Sequence, residues 1–382
     1  MKVMDNRVKR LKQLFLNRKD LLMKRNFNRT TLWLVGLATG ILFLACDNKH
    51  LDTTDKKASN NTRDASGMTA NFPSDVLPFM DQWKILLGDG THVDNLEQYK
   101  KEDFFYVKND GQSNWVVYKT PNSGIMSKTS NNTRTELGQK HRWVPMEGGK
   151  LTGTLKVMHV STSGDARVAA SYSVVVGQIH SADGHKNEPL KIFYKKFPGH
   201  KKGSVFWNYE INTAGTNDKR WDYSTAVWGH DMSVVGEAPD SYPEEPKDGI
   251  ALGEEFSYEI NVYKGVMYLT FESEGHKTVS FEKDLLASTF SKPSEIPQQT
   301  VNMFVPLGRD GVERKEAYAG EKQFFKQGAY NQTNGKVPSD NMVWSTGADI
   351  YNGDIAKQYA NGDYTEVWFK EASLGPGTMP GQ

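Results

Sequence analysis

The sequence lacks most of the features that would mark its class at a glance. Among its 382 residues stands one cysteine, so no intramolecular disulfide is available and the fold relies on its core. The apolar stretch Thr30 to Ala45, TTLWLVGLATGILFLA, is shorter than the roughly 20 residues that a membrane-spanning helix needs. A His-x-x-x-His pair, a cysteine cluster and an EF-hand-like carboxylate loop are all missing, so neither a metal nor another cofactor is expected. Helical periodicity is scarce as well: the best short candidate is Glu282 to Ser288, after which Pro293 and Pro297 enforce loop. No internal repeat is evident.

What is present begins with an export signal. Residues 1 to 30 carry ten Lys or Arg against two Asp, and the apolar stretch that follows ends in Ala45, directly before Cys46. A basic region, a short apolar region and a small residue before a cut describe a signal peptide. With the chain's one cysteine at the junction, the segment resembles a bacterial lipoprotein signal whose lipidated residue is Cys46, although Phe43 stands where Leu is usual. Met23 opens a more compact signal, so translation from there is an alternative start. The expectation is export, with anchoring to the cell envelope, the outer membrane above all, or secretion.

Of the 47 basic and 46 acidic residues, ten and two leave with the first 45, so that 37 basic face 44 acidic residues in the exported part, near −7. A binder of polyanions with that balance needs a local positive patch, because the overall field opposes its ligand. Asp47 to Ser74 is polar with few large apolar residues and reads as a flexible tether, giving a division into 1–45 signal, 46–74 tether and 75–382 folded domain.

Within that domain short alternating strands are broken by Gly, Asn, Asp and Pro, as in Leu151 to His159, Tyr172 to His180 and Phe256 to Tyr263. Tyr258, Ile260 and Val262 pair through Lys264-Gly265 with Val266, Tyr268 and Thr270 as a hairpin. The pattern predicts an all-β sandwich of two antiparallel sheets. Two long connections, Thr213 to Gly253 and Ser291 to Phe304, read as loops, the first with Trp221, Trp228 and His230 as a groove wall.

Three stretches concentrate polar chemistry on strand faces. In Ser171 to Asp183, SYSVVVGQIHSAD, a period of two places Gln178 and His180 together. In NNTRTELGQ, Arg134, Glu136 and Gly138 share a face; in FFKQGAYNQ, so do Phe324, Lys326, Gly328, Tyr330 and Gln332. Arg-Thr-Glu-Leu at 134 to 137, Gln-Ile-His at 178 to 180 and Phe-Lys-Gln-Gly-Ala-Tyr-Asn-Gln at 325 to 332 resemble the three signature blocks of the polysaccharide lyase family 7 alginate lyases, in the same order. The similarity runs from Trp83-Lys84-Ile85 to Glu366-Val367-Trp368-Phe369. It implies a jelly roll with a concave groove, and alginate as the partner of a monomeric enzyme, with no nucleic acid and no membrane contact beyond the lipid.

The resemblance also assigns roles. Elimination across a uronate glycosidic bond removes the hydrogen on C5, next to a carboxylate, so that carboxylate must first be neutralised. Arg134 offers forked charged donors and Gln178 an amide donor for this task. The family's proton carriers fall on Tyr330 at the leaving oxygen and His180 as base or its helper. A phenol is a reasonable acid for an alkoxide, and a base only where cations such as Arg134 or Lys326 favour it. For mannuronate Tyr330 serves both steps; for guluronate the base is His180. Gln-Ile-His goes with acceptance of guluronate in the family. Lys326, Glu136 and Gln332 are expected around the sugar. Gly138 and Phe324 depart from the family's Arg and Tyr, which bears on a flanking subsite.

A hydrolase on a similar sandwich needs paired carboxylates at the cleavage point, and the Glu-x-Asp-x-x-Glu pattern is absent. A non-catalytic carbohydrate-binding surface lipoprotein is the alternative from another class, since a sandwich serves both roles; it has no need of Tyr330 and His180 together. For the anchor, Cys46→Ser is expected to release the protein from the membrane fraction of expressing cells. An unchanged distribution on fractionation argues against lipidation.

Overall fold

The computed structural model describes residues 62–63, 69–126, 130, 132–182, 188–212, 220–286, 322–339, 341–348 and 351–381, without the side chains of 62, 63, 69, 211, 212 and 220–222. The expected signal peptide, Cys46, most of the tether and the connection Ser291 to Phe304 lie outside the described residues.

Two antiparallel sheets face each other. In strand order, the larger runs β12 (Arg220–Trp228), β11 (Lys202–Asn212), β10 (Leu190–Lys195), β9 (Ser173–Ser181), β17 (Gln323–Asn331), β7 (Arg134–Gln139), β3 (Trp83–Leu86) and β4 (His92–Val93), with β13 (Ile250–Ala251) beside β11. The smaller runs β16 (Val279–Asp284), β15 (Val266–Ser273), β14 (Glu255–Tyr263), β8 (Gly149–His159), β18 (Tyr364–Gly375), β6 (Asn114–Pro121) and β5 (Phe105–Asn109). The sequence thus predicts the fold class correctly. Alternation is the cause: Ile85, Leu137, Ile179, Ile192 and Phe325 from one sheet meet Leu151, Leu155, Ile260, Leu269 and Val367 from the other in a single core. The predicted hairpin forms with Tyr263 opposite Val266, and Lys264 and Gly265 at its tip both hold positive φ, 49° and 84°. That two-residue turn matches the twist of the flanking strands.

Three expectations need correction. The helix proposed for Glu282 to Ser288 is instead strand as far as Asp284, because pairing of β16 with β15, Glu282 opposite Tyr268, overrides a weak local helix preference. The connection Thr213 to Gly253 contains β12 and β13, both paired with β11. Trp228 lines no groove: it is buried in the core against Phe256 and Phe271, and its indole N–H donates to the Lys277 carbonyl at 2.9 Å. His230 sits in the following loop, its Nε2 3.1 Å from the Glu244 carbonyl oxygen; the side chain of Trp221 lies outside the described set. Structure also reaches ahead of residue 75, in the strand pair Thr62–Arg63 with Thr69–Ala70 and the helix Pro73–Val76.

One irregularity aims the polar stretch of β9. Strict alternation would put Val174 and Val176 on the face of Gln178, but both belong to the core, as does Ile179, while Val175 faces the other way. The register with β10 slips here, Ile192 pairing with Gly177 and Phe193 with Val175. A bulge of this kind re-aims every later side chain of the strand. Tyr258 from the opposite sheet holds it: its hydroxyl donates to the Val176 carbonyl at 3.3 Å and accepts from Gln327 Nε2 at 2.8 Å. Gly177 leaves room for that phenol, since a Cβ there would stand 2.8 Å from the Tyr258 oxygen. Gly177→Ala is therefore expected to cost about 1–3 kcal/mol in denaturant unfolding, and to reduce activity by turning Gln178 out of place. A variant of unchanged stability and activity contradicts this account of the bulge.

Candidate active site

Register brings the three polar stretches side by side on the outer face of the larger sheet. Lys326 of β17 stands opposite Gln178 of β9 on one side and Gly138 of β7 on the other, and Tyr330 stands opposite Arg134. Antiparallel neighbours at such positions are close enough for side chains to interact. The centre of the cluster is Glu136, whose side chain is 1% exposed. Its Oε2 accepts from Arg134 Nη1 at 3.2 Å and pairs with the Lys326 ammonium, and its Oε1 accepts from the Gln178 amide. Glu136 thereby orients Arg134 and holds two further donors on the same carboxylate.

Tyr330 lies against this group. Its ring is stacked beneath the Arg134 guanidinium at 3.7 Å, with the Lys326 nitrogen 5.6 Å from the ring centre. Ser130 joins them: its Oγ accepts from Arg134 Nη2 at 2.8 Å and lies 3.3 Å from the Tyr330 hydroxyl. His180, two residues along the strand from Gln178, rests against Phe324 with ring centres 5.2 Å apart. Its Nδ1 is 2.7 Å from the Ser181 carbonyl oxygen and its Nε2 3.3 Å from Glu188 Oε1. Gln332 is placed differently from the rest, past the end of β17 and buried, with its amide turned to the Tyr330 carbonyl at 3.4 Å.

Charge in this cluster is strongly coupled to burial. Burial opposes the positive charge of Arg134, but Tyr330 and then Glu136 outweigh it and hold the guanidinium above its ordinary value. For Lys326 burial wins: together with the neighbouring Arg134 it pushes the ammonium down from 10.5 to about 8, against the pull of Glu136. Two polar atoms remain without a hydrogen-bond partner, Arg134 Nε and Gln178 Oε1, both buried. An unmet buried donor or acceptor costs about 1–3 kcal/mol, which a ligand oxygen at Arg134 would relieve.

Sequence reasoning missed several neighbours. Ser130 lies ahead of β7 in a loop, where alternation says nothing. Arg142 lies just past β7 and covers Phe324 with its guanidinium at 3.7 Å. Gly138 leaves that flank open, a Cβ there being 3.8 Å from Phe324 and 4.0 Å from Lys84. Glu188, Lys191 and Glu210 form a buried ion group behind His180, and only the pairing of β9, β10 and β11 brings them together. Among the described residues no group of three or more His, Cys, Asp or Glu is arranged to hold a metal.

A family model described as alginate lyase matches residues 77–375. A curated alginate lyase of Klebsiella pneumoniae is 29% identical over 276 residues, 63% of this chain and 75% of that protein. The crystal structure of an exolytic family 7 alginate lyase from Zobellia galactanivorans is 73% identical, covering 81% of this chain and all of that one, with a TM-score of 0.76. The solved Klebsiella pneumoniae enzyme, 22% identical with a TM-score of 0.56 over 80% of this chain and 99% of that one, shares the fold.

The position of Lys326 yields a prediction on pH. Below about 8 its ammonium is charged and able to attract an anionic sugar; as pH rises through that value the charge and any such attraction fade. KM for a uronate polymer is expected to climb above about pH 8, and Lys326→Met to show the higher KM already at neutral pH with no further climb. Steady-state kinetics from pH 6.5 to 9.5 checks this, and a wild-type KM flat across the range rules it out.

Proposed function

With the chain a member of the alginate lyase family over residues 77–375, and so a polysaccharide lyase, we propose that it removes sugars from guluronate-containing alginate by β-elimination at a chain end. One observation carries this reading: Arg134, Lys326 and Gln178 converge on Glu136 while the Tyr330 ring is stacked on Arg134. A binding protein has no need of a phenol stacked on a guanidinium with an ammonium close by. An eliminating enzyme does.

The chemistry follows from charge. A uronate carboxylate resists loss of the neighbouring C5 proton because a second negative charge develops on the sugar. Arg134, with one N–H still unmet, and Lys326 neutralise that carboxylate and the enolate that grows from it, as fixed donors in a site of low water content do for oxyanions. Gln178 lies beside them and is braced by Glu136. Tyr330 hands its proton to the departing O4, and charge left on its oxygen is met by Arg134 and Lys326. For guluronate His180 takes the C5 proton from the opposite side; for mannuronate Tyr330 serves both steps. The product carries a 4,5-unsaturated uronate at its new non-reducing end.

Guluronate preference rests on the Gln-Ile-His block at 178 to 180, and terminal cleavage on the 73% identity to an enzyme described as exolytic. Export with a lipid anchor at Cys46 remains part of the proposal on sequence grounds. Tyr330→Phe is expected to abolish the ultraviolet absorbance of unsaturated product, a loss of about 10² or more in rate, while alginate binding persists in calorimetry. Early wild-type digests of guluronate-rich polymer should contain only the smallest products. A fully active Tyr330→Phe enzyme overturns the acid assignment, and a ladder of intermediate sizes overturns terminal cleavage.

A further inference from the structure

His180 has its two ring nitrogens in different settings. A carbonyl oxygen only accepts, so Nδ1, 2.7 Å from the Ser181 carbonyl, is a donor. In the neutral ring that leaves Nε2 as the acceptor, the atom able to take a proton. Glu188 Oε1 lies 3.3 Å from Nε2, a contact of charge with no hydrogen bond between the two. A carboxylate at that distance stabilises the imidazolium that forms once Nε2 takes a proton.

Glu188 is itself held firmly. Its Oε2 lies 3.1 Å from the Lys191 ammonium, whose side chain is 1% exposed, and Lys191 in turn pairs with Glu210 Oε2 at 2.6 Å. Lys191 stands opposite Gln178 in the sheet, so the group is anchored in the same strands that carry the site. A carboxylate buried at the sheet surface and tied to a buried lysine keeps its place as the substrate enters. Losing a partner of such a pair leaves an uncompensated buried charge.

We propose that Glu188 is a positioning residue of the elimination, which holds a negative charge beside His180 as the ring becomes positive; this rests on the reading of His180 as the base for guluronate. Nε2 accepts the C5 proton, the C5–H bond breaks and its electron pair enters the forming C4–C5 double bond, and the C4–O4 bond breaks as Tyr330 protonates O4. The ring ends as an imidazolium beside the Glu188 carboxylate. Mannuronate, whose two transferred hydrogens lie on one side where Tyr330 works, bypasses the pair.

The test compares wild type, Glu188→Gln and His180→Asn on polyguluronate and polymannuronate. Gln keeps the size but carries no charge, so kcat on polyguluronate should fall about tenfold or more, with KM little changed and a much smaller loss on polymannuronate. Equal losses on both polymers, or none, overturn the role of Glu188. If His180→Asn itself loses both activities equally, the reading of His180 fails instead, and the two failures are told apart. Should Glu188→Gln not fold, Glu188→Asp decides: it keeps the charge but draws it back from Nε2, so kcat on polyguluronate should fall while polymannuronate is spared, and equal losses on both polymers, or none, refute the proposal.

Discussion

The arrangement depends first on a buried carboxylate. Without Glu136 the larger sheet would carry a guanidinium and an ammonium on adjacent strands, both largely removed from water and repelling each other; burial and that repulsion already weaken the proton affinity of Lys326. A single acid between them makes the pair tolerable, and it fixes the Gln178 amide as well. Removing one partner from a buried ion pair typically costs about 3–5 kcal/mol, so the cluster is rigid because its members cannot be separated cheaply. That rigidity suits catalysis, in which donors must already point at the developing charge before it forms.

A second constraint comes from the core beneath. Tyr258 spans the sandwich, and its hydroxyl meets the Val176 carbonyl and the Gln327 amide. Two glycines, Gly153 and Gly177, leave the space it occupies. The bulge stabilised in this way turns Gln178 and His180 outward together, while Gln327, next to Lys326, points inward. Packing and chemistry are thus linked through alternating positions of the same two strands. A change in core volume here is transmitted to the site face because interiors are close-packed.

Around the cluster the polar groups divide into two sets. Arg134, Ser130, Tyr330, Lys326 and Glu136 form a contiguous network on β7, β17 and the loop before β7. His180, Glu188, Lys191 and Glu210 form another on β9, β10, β11 and the segment before β10. Gln178 touches the first and neighbours the second. In the proposed elimination these two networks would be the separate means of moving two protons that uronates epimeric at C5 demand.

Much of this was legible in the residues. Short strands with period two gave the sandwich and Lys264-Gly265 its hairpin, because alternation is local; the resemblance of three polar blocks to the family's signatures marked Arg134, Gln178, His180 and Tyr330. The strand Arg220–Trp228 and the end of Val279–Asp284 were not legible, since their state is set by the backbone groups of β11 and β15 beside them. The bulge at Gly177, the convergence on Glu136, and the contacts of Ser130, Arg142 and Glu188 belong to the tertiary structure alone. Local sequence fixes the alternation of side chains along a regular strand, but a bulge that reverses it and the distances between strands are decided only when sheets pair and pack.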